Sequence, residues 1–141
     1  MRYSLRWRVV RMIKITEEDF TIDGIIGNAK HPDSGAIVTF LGIVRDDEIV
    51  GMEIEAYTEH AVQELERIRD EALEQFDLTS LDIIHRTGTL AVSDNILLIV
   101  CGAPHRKDAF TACEYVMDEL KERVPVWKKE LSADGGRWVN G

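Results

Sequence analysis

The sequence predicts an α+β domain with mainly antiparallel strands and two long amphipathic helices. Three observations carry that prediction. Asn95 to Cys101 is the most apolar run in the chain and reads as a core strand. Two stretches, about residues 59–76 and 107–123, place apolar residues at helical spacing. Strand-like stretches follow one another directly, giving the order β-α-β-β-α-β-β-β-α, and a doubly wound parallel sheet would instead alternate strand and helix throughout.

The first short strand falls at Ile13 to Ile15. Thr16 is a candidate N-cap, because Glu17, Glu18 and Asp19 would suit the first turn of a helix carrying Phe20, Ile22, Ile25 and Ile26 up to about Ala29. His31-Pro32-Asp33-Ser34-Gly35 is a turn. Ala36 to Val44 has the length and β-branched content of a buried strand, and Gly42 inside it marks a bulge or a close backbone approach. Arg45 and the acidic Asp46-Asp47-Glu48 loop follow. Met52, Ile54 and Ala56 alternate with Glu53, Glu55 and Tyr57, which predicts a half-exposed strand.

The first long helix buries Ala61, Leu65, Ile68, Ala72 and Phe76. Leu81 to Arg86 is a further strand, and His85 on it reads as a hydrogen-bonded structural histidine. Gly88 to Val92 is extended, Ser93-Asp94-Asn95 turns, and Ile96 to Cys101 forms the core strand. The second long helix buries Phe110, Cys113, Met117 and Leu120 and stops before Pro125, since the residue ahead of a proline disfavours the α region. Val126 to Trp138 is expected to pack back as a tail.

At 141 residues the chain is long enough for one ordinary domain, assigned to residues 12–141. Residues 1–11 are read two ways: as an edge strand, from Arg2, Arg6, Arg8 and Arg11 alternating with Tyr3, Leu5, Trp7 and Val9, or as an N-terminal arm or start-site extension ahead of Met12. No apolar run approaches the roughly 20 residues of a membrane helix, and the basic N-terminus lacks the uninterrupted apolar core of a signal peptide. A cytoplasmic protein is therefore expected, with no membrane partner. Cys101 and Cys113 read as reduced core residues. The net charge of −9 argues against nucleic acid as a ligand, and it makes a local cluster of cations informative.

That cluster lies in residues 103–130. His105 and Arg106 sit where the core strand passes into the second long helix, and a helix N-terminus with adjacent cations suits a phosphate. Lys121, four residues after Met117, is expected beside the buried stripe with Lys128 nearby. Burial and like charge would lower its pKa and make it a base or nucleophile. Cys101 and His105 also invite comparison with a nucleophile pair, but a thiol on an apolar strand has a raised pKa and is inert. Phosphate-loop, dinucleotide, nucleophile-elbow and structural-zinc motifs are absent, and no metal or cofactor is expected.

The blocks GAIVTFLGIVR (Gly35 to Arg45), EAYTEHA (Glu55 to Ala61), IIHRTGTL (Ile83 to Leu90), APHRKDAF (Ala103 to Phe110), MDELKERVPVWKKE (Met117 to Glu130) and GGRWV (Gly135 to Val139) occur in order. In them the chain resembles the MoaE-type family, the large, catalytic subunit of molybdopterin synthase. The resemblance implies an α/β-hammerhead type of α+β fold. It also implies conversion of cyclic pyranopterin monophosphate to molybdopterin, with sulfur from the thiocarboxylated C-terminal Gly-Gly of a small ubiquitin-like subunit. The assembly implied is a homodimer of the large subunit within a heterotetramer. This chain ends Val139-Asn140-Gly141, which fits the acceptor and not the carrier.

Matched positions imply substrate contacts at Arg45, His105, Arg106, Lys121, Lys128, Lys129 and Glu130, with Lys121, Lys128 and His105 catalytic. Arg45 is expected to act across the dimer interface. The loop after Arg45, only Asp46 to Val50, is shorter than in many relatives. The competing reading is a non-catalytic dimeric adaptor that binds a ubiquitin-like Gly-Gly tail or an acidic peptide.

Overall fold

A computed structural model describes residues 12–139; the two readings of residues 1–11 lie outside it. The apolar run at 96–101 becomes the interior of β6 (Asn95–Ala103), buried from Ile96 to its end. A strand buried on both faces needs partners on both edges. It finds them in β4 (Ser80–Arg86) and β2 (Ala36–Ile43), both antiparallel, while β1 (Ile13–Thr16) joins the far edge of β4 in parallel. The sheet order is β1-β4-β6-β2.

Side chains alternate across β6 as the pleat requires. Leu97, Ile99 and Cys101 enter the main core with α2 (Thr58–Gln75) and α3 (Arg106–Arg123), and Leu98 and Val100 meet the short α1 (Ile22–Asn28) on the other side. The predicted stripe accounts for the packing of α2, and that of α3 holds at Cys113 and Leu120. Ala61, Leu65, Ile68 and Ala72 of α2 and Ala109, Ala112, Cys113, Val116 and Leu120 of α3 all fall in the main core. Phe110, predicted buried, is 62% exposed.

A second four-stranded sheet is antiparallel throughout, in the order β5-β3-β7-β8. It holds β5 (Gly88–Ala91), β3 (Gly51–Ala56), β7 (Val126–Ser132) and β8 (Gly135–Val139). Among the described residues there are thus eight strands and three helices, and no helix is long and apolar enough to cross a membrane.

Three local expectations need correction. Thr16 caps no helix: its carbonyl accepts the Thr87 N–H at 2.9 Å, its hydroxyl accepts the Glu18 N–H at 3.0 Å, and the helix starts only after Thr21. Strand pairing captured the residue that local propensity would have used as a cap. β2 is half exposed because it forms a sheet edge, so that Phe40, Leu41 and Ile43 are 37%, 39% and 50% accessible. Its bulge lies where Gly42 placed it, between Gly42 and Ile43. The C-terminal tail is a β-hairpin whose alternation was hidden by its charged residues. Its turn carries Asp134-Gly135, with Gly135 at φ +121°, and an Asp-Gly pair between extended segments is a hairpin signal.

The two long helices are tied together at Arg123. Its guanidinium grips Glu71 of α2 through two bonds, Nη1 to Oε1 at 2.6 Å and Nη2 to Oε2 at 3.0 Å. It also reaches Glu64 at 3.2 Å and Glu119 at 3.1 Å, and the Tyr115 hydroxyl donates to Glu71 at 2.9 Å. Arg123 and Tyr115 hold the Glu71 carboxyl below its ordinary range. That contribution is complete above the unfolded pKa and is lost as pH falls through the lower folded value. Arg123→Met should therefore cost about 1 kcal/mol at neutral pH, a modest figure because these pairs are partly screened by solvent. In urea denaturation the gap between wild type and variant should shrink below about pH 4, where the carboxylates protonate.

Candidate active site

The two sheets and the C-terminal end of α3 enclose an open cleft of about 710 Å³. Each wall follows from a local feature of the chain. Phe40 and Gly42 come from the exposed end of β2, Leu97 and His85 from the first sheet, and Met52 from β3. α3 stops ahead of Pro125, so Lys121 in its last turn stands at the rim. The chain then reverses, with the Tyr57 N–H bonded to the Pro125 carbonyl at 3.1 Å, and enters β7 against β3. Period-2 alternation along β7 puts Lys128 and Glu130 on the cleft side.

Four of the seven residues singled out from the sequence meet in this cleft: Arg45, Lys121, Lys128 and Glu130. Arg45 is exposed just past β2, and its Nε contacts both carboxylate oxygens of Asp47 at 3.0 Å, which leaves its terminal nitrogens for an incoming anion. Glu130 is held by Arg137 of β8 at 2.8 Å, so its negative charge is already matched. Lys128 is half-buried, and among the described residues it makes no ion pair. Burial, and then the neighbouring Lys121 ammonium, push its pKa below the ordinary lysine value. The burial expected of Lys121 is therefore found at Lys128, while Lys121 itself is exposed. A helix end beside open solvent frees the first lysine, and a strand between sheets buries the second.

The other three lie elsewhere. Lys129 points to the opposite face of β7, where its Nζ lies 5.4 Å from the centre of the Trp138 ring. His105 and Arg106 are exposed at the N-terminus of α3, and Lys121 is in its last turn. Fifteen residues at about 1.5 Å each separate them by roughly 22 Å along the axis. Their turn is fixed by Gly35, whose N–H bonds the Ala103 carbonyl at 2.8 Å, and a Cβ there would collide with the Pro104 carbonyl oxygen. Phe110, one turn along from Arg106, is likewise open to solvent. The thiol of Cys101 is fully buried, and a hydrogen bond with Cys113 together with burial pushes it well up, so it offers no nucleophile.

Sequence reasoning missed Asp47 and Arg137, the partners of Arg45 and Glu130, as well as the place of His85 in the cleft wall. The Arg45-x-Asp47 spacing was a readable signal. The Glu130–Arg137 pair depended on seeing the hairpin.

Fold and cleft together define a two-sheet α+β protein with a cationic pocket suited to a small anionic ligand. The chain belongs to the MoaE family: the family model described as "MoaE protein" matches residues 15–123, which include Arg45, His105, Arg106 and Lys121. It is 45% identical over 129 residues to the molybdopterin synthase catalytic subunit of Pyrococcus abyssi, covering 88% of this chain and 86% of that protein. The crystal structure of molybdopterin synthase from Staphylococcus aureus is 36% identical with a TM-score of 0.86, covering 92% of this chain and 97% of that one. A MoaE protein from Burkholderia ambifaria is 39% identical with a TM-score of 0.79, covering 93% and 90%.

The electrostatic account of Lys128 can be checked directly. Removing the Lys121 charge should raise the Lys128 pKa, but not to its free value, because the larger cause, burial, remains. NMR titration of isotopically methylated lysines in Lys121→Ala should show the Lys128 signal titrating at higher pH than in wild type. An unchanged midpoint would mean that the two ammonium groups do not share the cleft.

Proposed function

We propose that this chain is the catalytic subunit of a molybdopterin synthase, a single catalytic domain over residues 12–141 that inserts two sulfur atoms into a cyclic pyranopterin monophosphate. The observation that carries the reading is the cleft itself. Three cations from separate elements converge there in a chain of net charge −9, and one of them is a half-buried lysine with a depressed pKa. A cationic cleft on an acidic protein concentrates a phosphorylated substrate at one place. Its depressed lysine also gives up a proton more readily than a surface lysine does. A docking adaptor would need the cations but would have no use for that depression, and the family membership and the names of the similar proteins favour the enzyme.

In this reading Arg45 and Lys121 receive the phosphate and offset the negative charge that develops as the cyclic phosphate opens. The sulfur donor is the thiocarboxylated C-terminal tail of a small ubiquitin-like subunit, which enters past the exposed Lys121. Each transfer forms a C–S bond to a side-chain carbon of the pterin as a C–O bond at that carbon breaks, the oxygen staying on the opened phosphate ester in one transfer and leaving as water in the other. Water then cleaves the resulting thioester so that the donor's terminus is released as a carboxylate. Lys128 handles the proton at that step, and Arg137 holds Glu130 in place beneath it. No cofactor takes part.

His105 and Arg106 complete the phosphate site only if a second copy supplies them. The edge strand β2, whose Phe40, Leu41 and Ile43 are partly open to solvent, supports such a copy. A two-fold pairing would use it twice and would place His105 and Arg106 of each chain toward the cleft of the other. Lys129, on the outer face, is left a supporting role through Trp138. Two buried, reduced cysteines support a cytoplasmic enzyme.

The test is reconstitution with the thiocarboxylated small subunit and the cyclic pyranopterin monophosphate, assaying the dithiolene product. Wild type should form it, and Lys121→Ala should lose about 100-fold or more in rate, the scale of a removed electrostatic contact to a transition state. Arg45→Ala should mainly raise KM. Product formation by Lys121→Ala at the wild-type rate would rule out the role assigned to that lysine.

A further inference from the structure

One residue of the cleft has a chemistry that the sulfur-transfer reading does not use. His85 lies on β4, is only 2% exposed, and lines the cleft opposite Lys128. Its Nδ1 lies 2.8 Å from the carbonyl oxygen of Arg86. A carbonyl can only accept, so Nδ1 carries the hydrogen, and Nε2 of the neutral ring is left as a lone-pair acceptor. No described residue donates a hydrogen bond to that nitrogen. The ring also resists taking a second proton. Burial is the main cause, the nearby Lys128 charge adds to it, and together they bring the pKa down to about 4 against the opposing effect of the Arg86 carbonyl.

The local fold holds this arrangement in place. His85 is paired in register with Ile15 of β1 and Leu97 of β6, so both edges of its strand are occupied. The next side chain, Arg86, is anchored away from the cleft by the carbonyls of Glu17 and Asn95, at 3.0 and 3.2 Å. Lys128 is the charged group that faces the imidazole. The cleft therefore carries cations for an anion and, beside them, one fixed neutral acceptor that no anion can use.

We propose that Nε2 of His85 contacts the substrate directly, accepting a hydrogen bond from an N–H or O–H of the pterin ring system and so setting the ring's orientation in the cleft. The inference rests on the assignment of a pterin phosphate to this cleft. A pterin suits it because the phosphate end satisfies the cations while the amino and ring N–H groups supply donors. An acceptor committed to such a donor also gives selectivity. A ligand of similar shape without the donor would leave Nε2 desolvated and unpaired, a penalty that sites of this kind use to discriminate.

The experiment is NMR on wild-type protein labelled with 15N-histidine, titrated with the cyclic pyranopterin monophosphate. Nε2 of His85 should shift on binding in the direction of a nitrogen accepting a hydrogen bond, while Nδ1, already bonded to Arg86, should hold still. Two variants complement it. His85→Asn offers an amide donor to the Arg86 carbonyl but no acceptor in the cleft, and should weaken precursor binding about tenfold, the scale of one buried hydrogen bond. His85→Gln, whose amide reaches the Nε2 position, should recover part of that loss. If the precursor saturates wild type and shifts the amides of Met52 and Lys128 without moving Nε2, this inference fails and the cleft assignment stands. If it shifts none of those amides, both fail. The wild-type measurement decides the matter even if neither variant folds.

Discussion

The pairing of β7 with β3 is the constraint on which the site depends. It joins residues 51–56 to residues 126–131 in antiparallel register, across 70 to 80 positions of chain. Without it the β7–β8 hairpin would be cut off from the rest of the sheet, and the cleft would lack the wall that bears Lys128 and Glu130. The pairing also sets the electrostatics. Lys128 is pressed between two sheets because β7 is fixed against β3, and its ammonium is then close enough to Lys121 to feel that charge. A non-local ladder of this kind is costly in loop-closure entropy, and the bonds that start it are local to the reversal, where Tyr57 reaches the Pro125 carbonyl.

Much of the first sheet was legible because its physics is local. Asn95 to Cys101 read as a buried strand, the helical stripe of α2 named its own buried face, and Gly42 marked its bulge. The stripe of α3 was right at Cys113 and Leu120 and wrong at Phe110, because Ala109, Ala112 and Val116 make the contact. The failures among the strands share one cause, which is that exposure at a sheet edge is a tertiary property. β2 has the composition of a central strand, yet it stands at the edge and leaves Phe40, Leu41 and Ile43 partly open. The terminal hairpin was lost for the converse reason, since lysines and a glutamate on a strand read as tail unless the partner strand is known. Thr16 shows the same competition at one residue, where a sheet bond outweighed a cap.

The site was legible as a set of residue types and illegible as an arrangement. Arg45, His105, Arg106, Lys121, Lys128, Lys129 and Glu130 were named together, but one chain assembles only four of them. Helix length explains the split. α3 is unbroken from Arg106 to Arg123, so the cations at its two ends cannot share a small ligand unless a second copy intervenes. Strand alternation removes Lys129 as surely as it admits Lys128. The burial anticipated at Lys121 fell on Lys128, because a strand held between sheets is desolvated and a helix end beside solvent is not.

The central claim is that a complete site takes Arg45, Lys121 and Lys128 from one chain and His105 and Arg106 from another. Mixing Lys121→Ala protein with Arg106→Ala protein, after dissociation and random reassociation, tests it most directly. In a mixed pair, one site combines both lesions and the other has none. Half of the pairs are mixed and each holds one intact site of two, so reconstituted sulfur transfer should return to about a quarter of the wild-type rate. If the mixture is no more active than the two variants measured separately, His105 and Arg106 do not act across the interface, and the two-chain site is wrong.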